Sequence, residues 1–205
     1  MEIVDRSKIR VLDKHVADKI AAGEVVDRPV SIVKELVENA IDAGADSIAV
    51  EIREGGKAYI RVTDNGCGIA ADEVEIAFRR HATSKISTAQ DLGSILTLGF
   101  RGEALASICA VSRVEVITKT ADAKTGRRVI ADGSEIAKNY PTGCPDGTTI
   151  TVRDLFYNVP ARYKFLASDG AEARRIIDLV SRIANDLLRN FPSDRREARH
   201  RVRMP

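Results

Sequence analysis

With 205 residues, 44% of them hydrophobic, the chain is long enough for one large or two small domains around a sizeable core. Its 30% charged residues nearly cancel to a net charge of +2, a balance that neither proposes nor excludes nucleic acid, since a basic patch can sit inside a neutral total. Three widely spaced cysteines (67, 109 and 144) without a Cys-x-x-Cys support neither a disulfide framework nor a zinc site, and no apolar run suits a signal peptide or a membrane span, so a cytoplasmic setting is expected.

Residues 3–12 alternate only loosely and read as an arm. Asp13 to Ala22 reads as a short helix with Asp13 as its N-cap and Gly23 as its stop. The stretch Pro29 to Gly44 predicts a longer helix. Pro29 opens it, Gly44 closes it, and Val33, Leu36, Val37, Ala40 and Ile41 make one apolar stripe. Ser31, Glu35, Glu38, Asn39 and Asp42 gather on the opposite arc, with Glu35 and Asn39 one turn apart and able to touch a common ligand. Taken alone, that arc reads as a solvated acidic face.

The period then changes. Ile48, Val50 and Ile52 alternate with polar or small residues, Gly55-Gly56 marks a hairpin, and Ala58, Ile60 and Val62 alternate back. At the end of this second strand stands Asp64-Asn65-Gly66-Cys67-Gly68-Ile69. Its glycines let the main chain approach a flat ligand, although an Asp-Asn-Gly turn into a following helix explains it as simply. Asp72 to Arg80 is read as that helix, with Val74 and Phe78 inward. Arg79 to Lys85 then brings cations together with Thr83 and Ser84, a combination that suits phosphate oxygens or a plain surface loop. Thr97 to Ile108 reads as a glycine-punctuated loop entering an apolar helix, where free backbone N–H groups favour an anion; a Walker A loop is absent.

From Arg113 onward strands dominate: Val114 to Lys119, Arg127 to Asp132, Glu135 to Tyr140 and Thr148 to Arg153. Helices and strands in blocks, joined by hairpins, predict an α+β fold, an antiparallel-rich mixed sheet with helices on one face. Phe156 to Leu166 mixes rings with Arg162 and Lys164, reading as an anchored loop or a nucleic-acid surface. A last helix spans Asp169 to Asn190. Residues 193–205, with five arginines against Asp194 and Glu197, read as a disordered basic tail after an ATP-binding domain covering 1–192.

Five blocks together resemble the N-terminal ATPases of the MutL family of DNA mismatch repair proteins: Ile20 to Val26, Lys34 to Ala40, Asp64 to Ile69, Gly99 to Leu105 and Phe156 to Arg162. Glu-x-x-x-Asn with Asp-x-Gly-x-Gly is shared with gyrase, heat-shock chaperone and histidine kinase ATPases; Gly-Phe-Arg-Gly-Glu-Ala-Leu narrows the likeness to mismatch repair. The resemblance implies a two-layer Bergerat-type sandwich that binds ATP and Mg²⁺. It implies that Asp64 accepts the adenine amino group, beside Gly66, Gly68 and Thr148. It gives Asn39 to magnesium and makes Glu35 the base that activates the attacking water. It wraps the phosphates with Thr83, Ser84, Lys85 and Gly99, Phe100, Arg101 and Gly102, running on through Glu103, Ala104 and Leu105, with Arg101 and Glu103 as an alternative pair that holds the loop. It also implies ATP-linked dimerisation through residues 1–23 and other mismatch repair proteins as partners, while the cationic loop around Arg162 and Lys164 offers a weak contact to DNA. In this family a lysine from a following domain reaches the γ-phosphate, and that domain would lie after residue 205. Nucleotide binding is therefore expected more firmly than turnover, and an ATP-binding scaffold for DNA or repair partners is the alternative.

Overall fold

The computed structural model describes residue 9, residues 11–83 and residues 102–190. Most of the expected arm, residues 1–8 and 10, and the basic tail therefore lie outside the described residues. Helix α1 (Lys14–Val25) is capped by Asp13, whose side chain accepts the His15 N–H at 2.9 Å. It runs through Gly23 rather than stopping there. Helix α2 (Pro29–Asp42) starts on its proline and buries Ile32, Val33, Leu36, Val37 and Ala40. Ala43 caps it, and Gly44 turns the chain out with a positive φ of 74°. Each fully buried aliphatic side chain contributes about 1.5–3 kcal/mol, so Leu36→Ala would cost about 2–5 kcal/mol.

Strands β1 (Ile48–Arg53) and β2 (Tyr59–Asp64) form the expected hairpin, joined by a 3₁₀ turn at Glu54–Gly56. After β2, the helix expected from Asp72 to Arg80 does not form. Turns and one 3₁₀ segment, Ile76–Phe78, take its place; Arg79 is extended and His81 is left-handed at φ 61°. Val74 is nonetheless fully buried, and Phe78 packs on the core. The inward positions were read correctly, but the chain must turn to deliver Arg80 to α1 and His81 to Glu103.

Helix α3 (Ala104–Ala110) leads into β3 (Arg113–Lys119), β4 (Gly126–Asp132), β5 (Glu135–Thr142) and β6 (Gly147–Arg153). The strand order is β1-β2-β6-β3-β4-β5, and every pairing is antiparallel, so the sheet is not mixed. Pro141 lies on β5, which pairs only with β4 among the described strands and so tolerates the missing donor. One sheet face, with Val50, Ile60, Val62, Val114, Val116 and Val152, joins α1, α2, α3 and the long helix α5 (Asp169–Asn190) in a single core. The other face carries cross-strand ion pairs such as Arg128–Glu115, and Tyr59 lies between the guanidinium groups of Arg53 and Arg153. The segment read as a loop at 156–166 contains a short helix, α4 (Pro160–Lys164), opened by its proline.

Candidate functional site

Register places one polar row at the end of the three central strands. Asp64 on β2 faces Thr148 on β6, which faces Thr118 on β3. All three stand on the helix side of the sheet, in phase with the apolar positions before them. Asp64 Oδ1 accepts the Gly66 N–H at 2.8 Å and the Thr148 N–H at 3.3 Å. Among the described residues both of these bonds fall on Oδ1, so Oδ2 is the oxygen available to accept from a donor. Burial raises the Asp64 pKa, and these two N–H groups only partly offset the rise. The Thr118 hydroxyl accepts from Ile69 N at 2.9 Å and lies 3.0 Å from the Thr148 hydroxyl and 3.1 Å from Gly147 O.

The turn after Asp64 is fixed from both sides. Gly68 has φ +72°, and a Cβ on it would stand 2.2 Å from Lys119 O, so no other residue fits. Cys67 N donates to Ala43 O at 3.0 Å, which ties the turn to the end of α2. Ala43 N in turn donates to Asn39 O at 2.9 Å. Asn39, and Glu35 one turn earlier, thereby stand on the same helix that the turn is fastened to. Glu35 is partly exposed, 3.8 Å from Lys34 Nζ. Lys34 reaches Glu38 more closely, at 2.8 Å, so Glu38 is structurally paired.

A second group of predicted residues converges farther along. Glu103 Oε1 lies 3.2 Å from His81 Nδ1, and a Cβ on Gly102, which has φ +62°, would stand 2.7 Å from Ala82 O. The segment that ends at Thr83 is thus brought against the segment that starts α3 with Ala104 and Leu105. Ser84, Lys85, Gly99, Phe100 and Arg101 lie outside the described residues; Glu103 meets His81. Of the two loop cations, Lys164 is exposed. Arg162 is turned onto α1, its Nη2 donating to Ile20 O at 3.4 Å and its Nη1 buried.

The model of the histidine kinase-, DNA gyrase B- and HSP90-like ATPase family matches residues 28–143, more than half of the chain. The chain belongs to this ATPase family. Its matched span contains α2, the Asp64 turn, Thr118 and α3, while Thr148 on β6 lies just beyond it. The chain is also 60% identical over 176 residues to the DNA mismatch repair protein MutL of Agathobacter rectalis, covering 86% of this chain and 27% of that protein. It is 56% identical over 178 residues to the protein of the same name from Desulforamulus reducens, covering 87% and 28%. The chain spans roughly a quarter of the length of the curated relatives it matches. Among solved structures, it superposes on the Aquifex aeolicus MutL ATPase domain complexed with ADP with a TM-score of 0.65 at 35% identity, over 78% of this chain and 56% of that one. The expected likeness to the MutL ATPases and the Bergerat-type α+β sandwich are borne out.

One residue of the candidate site, Thr118, was passed over in the sequence. Thr118 is the polar residue in the inward series Val114, Val116, Thr118 of β3. A hydroxyl at the end of an otherwise apolar inward series was the available signal.

Proposed function

We propose that the chain is the ATP-binding and ATP-hydrolysing module of a MutL-like DNA mismatch repair protein. The observation that carries this reading is Asp64. It is a partly buried carboxylate with one oxygen held by two backbone N–H groups and the other left for a donor, at a turn fastened to the helix of Glu35 and Asn39. A carboxylate fixed this way suits the exocyclic amino group of adenine, with Thr148 and Thr118 offering hydroxyls beside it. Gly66 and Gly68 let the turn pack against Ala43 and Lys119, which holds Asp64 in place for the base.

The phosphates would extend past α2 toward Thr83, Gly102 and Glu103, where Ser84, Lys85 and residues 99–101 join by sequence. Glu35 would align a water on the γ-phosphorus and take its proton as the new P–O bond forms and the bond to ADP breaks. Among the described residues no three His, Cys, Asp or Glu side chains cluster as a metal site. Mg²⁺ fits a site of this kind, because it takes one or two protein oxygens and completes its shell with phosphate and water. The Asn39 side-chain oxygen would be that protein ligand, and the ion would offset charge on the phosphates.

ATP-linked dimerisation is supported by the outer side of α1. Val16 and Ile20, one turn apart on α1, are each about half exposed, and Leu12 just before the helix is as exposed, which together offer an apolar surface suited to a second copy. Lys164, exposed on α4, is the loop cation left to meet DNA. Calorimetric titration with Mg-ATP tests the central claim; binding at submillimolar to millimolar nucleotide is expected, and a flat titration of the folded protein would overturn it. Sedimentation with and without a non-hydrolysable analogue tests assembly, and a monomer under both conditions contradicts it.

A further inference from the structure

We propose that Asn158 and Arg162 are positioning residues for the phosphate half of the nucleotide site, acting by fixing helices α3 and α1 through main-chain carbonyls. The inference rests on the ATP-binding reading above. Its starting point is a turn that is strained and heavily anchored. Asp154 and Phe156 both have positive φ, at 54° and 62°, which non-glycine residues hold only where their surroundings enforce it. The anchors are Leu155 N to Lys57 O at 2.9 Å, Phe156 N to Val111 O at 2.7 Å, the buried Phe156 ring, and the Tyr157 hydroxyl on Asp132.

From this turn two side chains reach helix ends. Asn158 Nδ2 donates to Ala110 O at 3.0 Å, the last residue of α3. Four residues later Arg162 lies over the last turn of α1. A Cβ on Gly23 would stand 2.1 Å from its Nη2 and 2.5 Å from its Cζ, so the guanidinium occupies the space a side chain would fill. A second guanidinium grips the same helix from the other side. Arg80 Nε lies 3.2 Å from Asp18 Oδ1, and its Nη2 donates to Asp18 O at 3.0 Å. Arg80 precedes His81, which meets Glu103 at the start of α3.

These contacts close a ring that runs from α1 to Arg80 and His81, then to Glu103 and α3, then through Asn158 and α4 to Arg162 and back to α1. The ring contains Glu103, Ala82 and Gly102, the described neighbours of the predicted phosphate segments, and it contains neither Asp64 nor Thr148. Loosening it should therefore weaken the hold on phosphates and leave the adenine end intact. A residue that merely cements the fold would shift both ends together.

The test uses the full chain, Mg-ATP affinity by calorimetry, and adenosine affinity by NMR shifts of the Gly66 and Gly68 amides. In Arg162→Ala, Mg-ATP affinity should fall about tenfold, the scale of a small misplacement away from the reacting atoms, with adenosine affinity unchanged. Arg162→Lys should recover part of the loss. Gly23→Ala decides the matter if Arg162→Ala does not fold, because it displaces the guanidinium while removing no polar group and improving helix propensity. The same split in Gly23→Ala supports the proposal. Equal losses for both ligands, or no loss, overturn it. Failure of the parent chain to bind Mg-ATP instead overturns the functional reading on which the proposal stands.

Discussion

The two halves of the site are built differently. At the proposed adenine end, Asp64, Thr148 and Thr118 sit side by side on hydrogen-bonded central strands, and their partners include backbone groups within the same row or the adjoining turn. At the phosphate end, the described pieces are a two-turn helix, a 3₁₀ turn and a left-handed histidine, joined by side chains that reach across the chain. Strand register makes the first half hard to deform without opening the sheet. The second can yield at single side-chain contacts, as expected of the part of an ATP site that must respond to a phosphate.

The largest expected effect lies where the halves meet. Glu35→Ala should lower turnover by about 10²- to 10⁴-fold in a phosphate-release assay while keeping ATP binding, as loss of a general base does. Parent-like turnover would show that α2 does not supply the base. Next comes Asp64→Asn, which should weaken ATP and adenosine alike by about 10- to 100-fold, the worth of a hydrogen bond to a charged group. The same variant should melt higher than the parent without ligand at neutral pH. Burial raises the folded pKa of Asp64 above the ordinary 3.8, so its stabilising contribution is complete below that value and lost as pH rises through the folded pKa. Asparagine does not titrate, so the variant's pH dependence should be flatter; an unchanged pH–stability curve would contradict the burial.

Gly68→Ala should cost about 1–3 kcal/mol in a denaturant titration, since it forces a left-handed alanine against Lys119 O. A smaller loss would mean that the adenine turn is looser than its register implies. The smallest change is Tyr157→Phe, at about 1 kcal/mol for one partly exposed hydrogen bond to Asp132. Burial and that bond push the Tyr157 phenol up to about 12, so the cost should stay constant across the neutral range and be lost only as pH rises through the folded value.

Legibility followed the same division. Alternation read β1 to β6 nearly residue by residue, and the apolar stripes read α2 and α5, because these signals come from neighbours in the chain. Asp64 and Gly68 were readable through the motif and Thr148 through the family resemblance, and Asp64 and Thr148 lie together. The misreadings cluster at the phosphate end. Val74 and Phe78 have helical spacing and do point inward, yet Arg80 and His81 have partners in α1 and before α3 that pull the backbone out of helix. Gly23 looked like a helix stop because its reason for being glycine, Arg162, comes from a segment whose contact with Ile20 spans 142 positions. The same contact takes Arg162 away from solvent, which composition alone did not reveal.

Strand order carries a consequence for how the chain acquires its shape. The β1–β2 hairpin and the β3–β4–β5 meander are each made of consecutive strands, but among the described strands they are joined through β6, the last of these to be synthesised. Until residue 153 has emerged, a ribosome-bound chain holds two separate ribbons whose inner edges on β2 and β3 are unpaired, and Asp64 still lacks the Thr148 amide. Joining them requires long loops to close, a slow step in folding. Insertion of β6 therefore joins the described strands and brings the Thr148 amide to Asp64 in one event, and a nascent chain cut short of it should be aggregation-prone and lack the proposed adenine pocket.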